Sequence, residues 1–374
     1  MSVSIKEVVS RKDLKNFIGF PHTLYKDNPN WVPPLHFDEM TTLGKKSNPA
    51  FDFCEAKYWL AFKENKIAGR IAGIINERAI QIGGKKLARF GWIDFIDNQE
   101  VSRVLLSTAE QWAREKGMDG LQGPMGFTDF DKEGMLIEGF NEMGTLVTIY
   151  NYAYYPRHLE NLGYKKEVDW LEFQFKFKDV IQEKVQRVAI IALKRHKLRV
   201  HTFKKAKEIL PFAKEIFALL NDSYKDLFGF VPLSEKQVTF YTKQYFSFIR
   251  PDFFSLVLDN ENKVAAVAIT MPCLSKALRK ANGKILPFGF IHILKAIKKN
   301  DTADLYLIAV RRDLQGKGVN AILLNEIDKA FVRNNIAIGE AAPQLETNAK
   351  VIAQWEHFEH RQHKRRRCFA KIFE

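Results

Sequence analysis

The sequence predicts an α/β protein with mixed sheets, arranged as two tandem domains over residues 1–180 and 181–374. Three observations predict it. The chain has 374 residues, more than the ~250–300 at which a single hydrophobic core stops growing. Strand and helix signals run in the order β-α-ββ-β-α-β-α-β through the first half and repeat that order through the second, a repeat of pattern rather than of close sequence. A composition of 46% hydrophobic, 13% aromatic and 27% charged residues supplies ample apolar surface and argues against large-scale disorder.

In the first half, Ser4 to Ser10 reads as a strand and Arg11 to Phe20 as a helix. Pro29, Pro33 and Pro34 keep Tyr25 to Leu35 out of any helix interior and predict an ordered loop. Ala56 to Phe62 and Lys66 to Asn76 form a hairpin across the polar turn at Lys63, and Arg89 to Ile96 adds a third strand. Asp97 or Asn98 caps a helix from Glu100 to Lys116 that stops at Gly117. A short strand near Leu121 and a helix from Asn151 to Asn161 follow. Trp170, Phe173, Phe175 and Phe177 mark a long strand from Tyr164 to Lys178 with one buried face.

The second half repeats the order. Lys197 to Phe203 is a strand, Glu208 to Tyr224 and Ser234 to Ile249 are helices, and Phe254 to Asp259 with Lys263 to Met271 form a hairpin. Thr302 to Val310 is a strand, Val319 to Asn334 a helix, Ile336 to Leu345 a strand, Thr347 to Phe358 a helix and Arg365 to Phe373 a closing strand.

Lys and Arg total 58 against 44 Asp and Glu, a net +14 that favours an anionic partner: nucleic acid, a membrane surface or a phosphorylated cofactor. The densest basic run, Lys364 to Arg367, reads as a solvated turn without interleaved stacking aromatics, so nucleic acid is not expected. Cys54, Cys273 and Cys368 are odd in number and far apart, which suggests neither a disulfide framework nor a metal knuckle. No apolar run approaches the ~18 residues of a membrane span and the first residues lack a signal-peptide pattern, so a cytoplasmic location without a membrane partner is expected. His357, His360 and His363 read as a solvated helix end rather than a metal site.

Chemistry concentrates after the strand Asp304 to Val310. The loop Gln315-Gly316-Lys317-Gly318 delivers this strand to the N-terminus of the helix beginning at Val319. Helix N-termini leave backbone N–H groups unpaired beside the positive end of the dipole, a setting that suits a pyrophosphate. Gly316 and Gly318 let the main chain approach phosphates, and Lys317 adds a charge. A plain turn with two glycines remains the alternative. The loop has neither the GxxxxGK[ST] nor the GxGxxG pattern.

On these residues the second half resembles a GCN5-related N-acetyltransferase (GNAT) domain, whose pyrophosphate loop reads [R/Q]-x-x-G-x-[G/A]. Gln315 and Gly318 match, while Asn320 stands at the final small position. The resemblance implies acetyl-CoA held by Ile308 and Val310 on the strand, by Gln315, Gly316, Lys317, Gly318 and Asn320, and by Asn348 on the next helix. It implies acetyl transfer to a small-molecule or peptide amine, with Glu346 as base, Tyr306 as second candidate and a backbone N–H near Leu307 to Ala309 polarising the carbonyl. Trp355 stands where many relatives place an acidic Tyr, which leaves His357 as a substitute acid. The corresponding first-half loop, Asp97 to Arg103, has no glycine, so that half reads as a degenerate domain. The alternative is a non-catalytic GNAT-fold module that binds an anionic ligand or partner.

Overall fold

The computed structural model describes residues 2–177, 182–246 and 249–374, without the side chains of residues 350, 356 and 357. The division at 180/181 and the His357 side chain therefore lie outside the described residues. The first half contains β1 (Ser4–Glu7), α1 (Arg11–Leu24), α2 (His36–Thr42), β2 (Cys54–Lys63), β3 (Lys66–Asn76), α3 (Glu77–Gly83), β4 (Leu87–Phe95), α4 (Gln99–Glu115), β5 (Gly120–Gly123), β6 (Met135–Glu138), α5 (Tyr154–Asn161) and β7 (Lys165–Lys176). The second contains α6 (Glu183–Arg195), β8 (Arg199–His201), α7 (Ala213–Tyr224), α8 (Glu235–Tyr245), β9 (Phe254–Leu258), β10 (Val264–Pro272), α9 (Ser275–Ala281), α10 (Gly289–Lys298), β11 (Thr302–Val310), α11 (Val319–Asn334), β12 (Ile338–Ala341), β13 (Gln344–Leu345), α12 (Ala349–Ile352) and β14 (Glu359–Ile372).

Local chemistry explains the ends of these elements. Ser10 and Asp13 form a reciprocal capping box at α1 (3.1 and 3.2 Å). Asn98 caps α4 by accepting the Val101 N–H at 3.2 Å, and Gly117 leaves the helix with φ +72°. The β2–β3 turn places Glu64 and Asn65 at φ +54° and +60°, the left-handed pair that a tight two-residue hairpin requires.

All strands among the described residues join one sheet. Its path is β1-β2-β3-β4-β5-β14-β7-β12-β11-β10-β9-β8, with β6 added to β14 and β13 to β7. The order is nearly palindromic, and its centre is crossed: β7, from the first half, pairs with β12, while β14, from the second, lies between β5 and β7. Each half therefore completes its sheet with a strand of the other. Apolar clusters cover both faces, one built on α11 and α6, another on α7, α8 and the inner side of β9 and β10.

Three expectations change. The strand expected from Ile336 to Leu345 breaks between Ala341 and Gln344, because Pro343 has no N–H to extend a ladder. The helix expected from Thr347 to Phe358 is only α12 followed by a 3₁₀ turn, Ala353–His357. The basic run Lys364 to Arg367 lies inside β14 rather than in a solvated turn. Lys364 and Arg366 are fully buried against Glu172 of β7, Lys364 Nζ at 3.1 Å and Arg366 in closer contact, and Arg365 and Arg367 reach Asp169 at 3.3 and 2.8 Å. Acids on the facing strand make a buried basic stretch possible.

Candidate active site

Strand β11 is bulged and splayed. Its ladder with β10 pairs Leu307 with Ile269 and Leu305 with Thr270, so Tyr306 is skipped. On the other edge β11 pairs with β12 only from Thr302 to Leu305. Ala342 then donates to the Leu305 carbonyl at 2.9 Å and, past Pro343, β13 turns to β7. The Arg311 N–H bonds to Ala265, so alternation turns Leu307 and Ala309 toward β10 and Ile308 and Val310 toward the gap. Side chains take up carbonyls on that edge: Tyr224 donates to Ile308 at 2.9 Å, and Gln315 and Ser223 donate to Val310 at 3.0 and 3.3 Å.

The glycine loop adjoins this edge. Gly316 and Gly318 have φ of +71° and +80°, where only glycine rests without strain. A Cβ on Gly316 meets nothing within 4 Å, whereas one on Gly318 would come 3.2 Å from Val188 of α6. Gly316 thus keeps the cradle open and Gly318 also admits α6. Lys317 is exposed, Asn320 lies in the first turn of α11, and no side chain caps that helix. Asn348, at the N-terminus of α12, likewise makes no side-chain cap bond. An open cradle at an uncapped helix N-terminus fits the pyrophosphate of a CoA thioester. Acetyl-CoA is expected to raise the melting temperature, and Lys317→Glu to reduce that shift by more than half at equal ligand concentration while the unliganded melt stays unchanged. Gly318→Glu is a poorer test, because its side chain would also strain the packing of α6.

At the bulge, Tyr306 Oη donates to Asp304 Oδ2 at 3.1 Å. Burial pushes the Asp304 carboxyl up to about 7, with Glu340 adding repulsion, and its Oδ1 has no hydrogen-bond partner. Burial also raises the Tyr306 phenol well above its ordinary value. Tyr245 of α8 lies near enough to the Tyr306 phenol to act on it electrostatically, and α8 also meets a first-half segment, residues 124–134. Thr128 contacts the Tyr241 hydroxyl at 3.0 Å and Phe130 stacks on its ring. Asp38 of α2 accepts from Gln244 of α8.

This junction concentrates perturbed acids. Burial pushes Asp38 up to about 6 and Asp129 and Asp131 up to about 7, and raises Glu133 well above its usual range. It lowers Lys132, which makes no ion pair among the described residues despite nearby Glu39 and Asp38. These acids and Lys132 all come from the first half, and α8 of the second half lies against them through Tyr241, Tyr245 and Gln244.

Of the residues singled out in the sequence, Tyr306, Ile308, Val310, Gln315, Gly316, Lys317 and Gly318 fall along one edge of β11 and the loop that follows it. Glu346 bridges to Lys166 at 2.7 Å and accepts the Asp169 N–H at 3.2 Å beside the central strands. Asp304, Asp38, Asp131 and Lys132 were not singled out. Asp304 carried a legible signal, an acid inside an otherwise apolar strand; the other three come together only through tertiary contacts.

The first half repeats the bulge at Trp92 but fills the rest. The ladder of β3 and β4 shifts register there, and Trp92 has φ +45°. The Phe95 N–H donates to the Tyr155 hydroxyl at 3.0 Å and Tyr154 donates to the Phe95 carbonyl at 2.5 Å, closing the main-chain edge. The Asn98 carboxamide occupies the N-terminus of α4.

A bulged strand leading through a glycine loop to a bare helix N-terminus, in a sheet repeated within one chain, is the GCN5-related N-acetyltransferase fold in tandem form. A tandem GNAT protein from the clavulanic acid biosynthesis pathway superposes with a TM-score of 0.54 at 11% identity, covering 99% of this chain and 98% of that one. In sequence the chain is 29% identical to protein YghO of Escherichia coli strain K12, over 98% of this chain and 95% of that protein. It is 27% identical over 322 residues to the bacterial ceramide synthase of Caulobacter vibrioides, over 84% of this chain and 82% of that protein. No protein-family model matches the chain.

Proposed function

We propose that the protein is an acyl-CoA-dependent N-acyltransferase whose acceptor is a lipidic amine. The observation that carries the reaction type is the Asp304–Tyr306 pair set at the splayed edge of β11, next to the open loop from Gln315 to Gly318. The acceptor class is supported by the relative named as a ceramide synthase, a ceramide being an N-acylated long-chain amino alcohol, and by the acidic junction that suits a cationic amine. That product class argues for a fatty acyl donor in place of acetyl, while the same cradle serves either CoA ester.

Bound acyl-CoA supplies the thioester whose acyl group passes to the amine nitrogen with release of the thiol. The backbone N–H groups of Gly316, Gly318, Val319 and Asn320 and the Lys317 ammonium hold phosphates, and the Ile308 and Val310 edge aligns the extended arm. Asp38 and Asp131, which burial inclines to hold their protons, give them up when an ammonium headgroup lies beside them, so the junction takes a cation at the release of protons. The Asp304 carboxylate takes the amine proton, and the Tyr306 hydroxyl, bonded to Asp304, returns a proton toward the leaving sulfur. Glu346, held by Lys166, serves the central ion pairs in this reading.

Thiol release tests the proposal. Purified protein is given acetyl-CoA or palmitoyl-CoA with sphinganine, amino acids, a short peptide or a polyamine. Turnover with sphinganine at least tenfold above the water-soluble amines is expected. Turnover confined to amino acids or peptides would replace the lipidic acceptor, and CoA binding without thiol release from any amine would favour the non-catalytic module.

A further inference from the structure

We propose that the protein docks peripherally on anionic membranes through the surface made by α10 and the segment before it. Leu286, Phe288 and Leu294 are 74%, 71% and 58% exposed, and Phe290 and Ile291 stand out beside them. The opposite side of α10, through Ile293, Ala296 and Ile297, packs on the cluster of Val32, Leu274 and Leu278. The helix is thus fixed to the protein by one apolar face and presents a second to solvent. Large apolar side chains projecting together from a surface mark a site that something else covers.

Charge identifies the occupant. Residues 273–300 contain seven Lys or Arg and no Asp or Glu, so this segment alone carries +7 of the chain's net +14. Only Lys276 has an ion-pair partner among the described residues, Asp301 at 3.9 Å. Lys284, Lys295, Lys298 and Lys299 rim the apolar projection, as in helices that lie in the headgroup plane with apolar side chains below and cations among the lipid phosphates. A second copy of this chain would bring +7 against +7, which disfavours self-association.

The patch also borders an entry. An open cleft of ≈ 1200 Å³ runs from Ile285 and Leu286 past Phe37, Met40 and Leu43, with Lys45 and Lys46 at its mouth. Its wall includes α2, the same helix that carries Asp38 into the acidic junction. A docked protein would face this cleft toward the bilayer. That no helix among the described residues is long and apolar enough to cross a membrane concerns spanning alone and leaves this mode of contact open.

Flotation of the full chain with vesicles reads the proposal without any assay of chemistry, so its failure and that of the acyltransferase reading are separable. Vesicles of phosphatidylcholine mixed with phosphatidylglycerol should carry the protein, pure phosphatidylcholine should carry about tenfold less, and added salt should reduce the bound fraction. Leu286→Asp with Phe288→Asp should abolish flotation, and Lys295→Glu with Lys298→Glu should lower it about tenfold or more. Ile82→Asp, at an exposed apolar position on α3, should float like the parent, and unchanged melting temperatures confirm intact folds. The proposal is overturned if the parent ignores anionic vesicles, if the paired Asp variant floats normally, or if that variant instead converts a dimer to a monomer by sedimentation.

Discussion

Asp304→Asn is expected to lower acyl transfer by roughly 10²–10⁴-fold, the usual worth of a positioned base, and to make the protein more stable at neutral pH. The two effects share one cause. Burial raises the folded-state carboxyl to about 7, against an unfolded value of about 4. Between those values folding takes up a proton, so the group's contribution to stability declines as pH rises through that window and stays at its lowest above about 7. An amide of the same shape removes that cost. Thermal melts at pH 8 should therefore show Asp304→Asn above the parent by about 4 kcal/mol, a difference that vanishes below about pH 4.

The parent's rate should fall on the acid side of about pH 7 as Asp304 gains its proton, and the variant's residual rate should lack that limb. Glu346→Gln serves as the counterpart. Because Glu346 is committed to Lys166 and the Asp169 N–H, the change should leave the rate within a few-fold of the parent. A large loss in Glu346→Gln with an indifferent Asp304→Asn would reverse the assignment.

Glu172→Gln is expected to destabilise the fold by ~3–5 kcal/mol, since it strands buried cations without their counterion. Glu172 is 1% exposed between Lys364, at 3.1 Å, and the fully buried Arg366. Typical domains hold ~5–15 kcal/mol in total, so the urea midpoint should move sharply. Lys176→Ala, which breaks an exposed 2.9 Å pair with Glu359, should cost ~0.5 kcal/mol or less.

Burial alone would raise the Glu172 carboxyl, but Arg366 and Lys364 hold it below its ordinary value. Its contribution to stability is accordingly present above the unfolded carboxylate range and is lost as pH falls through and below that range, so the variant should have a flatter acid limb. Glu172 and its partners lie on β7 and β14, the strands each half lends to the other. Both halves should therefore melt in one transition, and two separated transitions would count against the crossed sheet as a cooperative unit.

The sequence by itself determined the α/β class, the repeated element order and the glycine loop ahead of α11. Each is written in short-range signals. Alternation carried β7, the apolar stripe Val319 to Phe331 carried α11, and two glycines before a helix start carried the cradle. Helix α6 has an equally local pattern, Val185, Ala189 and Ala192 on one buried face, directly after the boundary between the two halves.

Tertiary structure alone decided the pairing of strands, because hydrogen bonds between β14 and β5 or β7 and β12 join residues far apart in the chain and leave no periodic trace. It also decided the fate of charge. Lys364 and Arg366 read as solvated until Glu172 is placed across from them, and Asp38, Asp131 and Lys132 read as ordinary polar residues until the halves close over them. Burial and opposite charge are properties of neighbours in space, and those neighbours, more than the residue types, set which acids hold their protons near neutral pH.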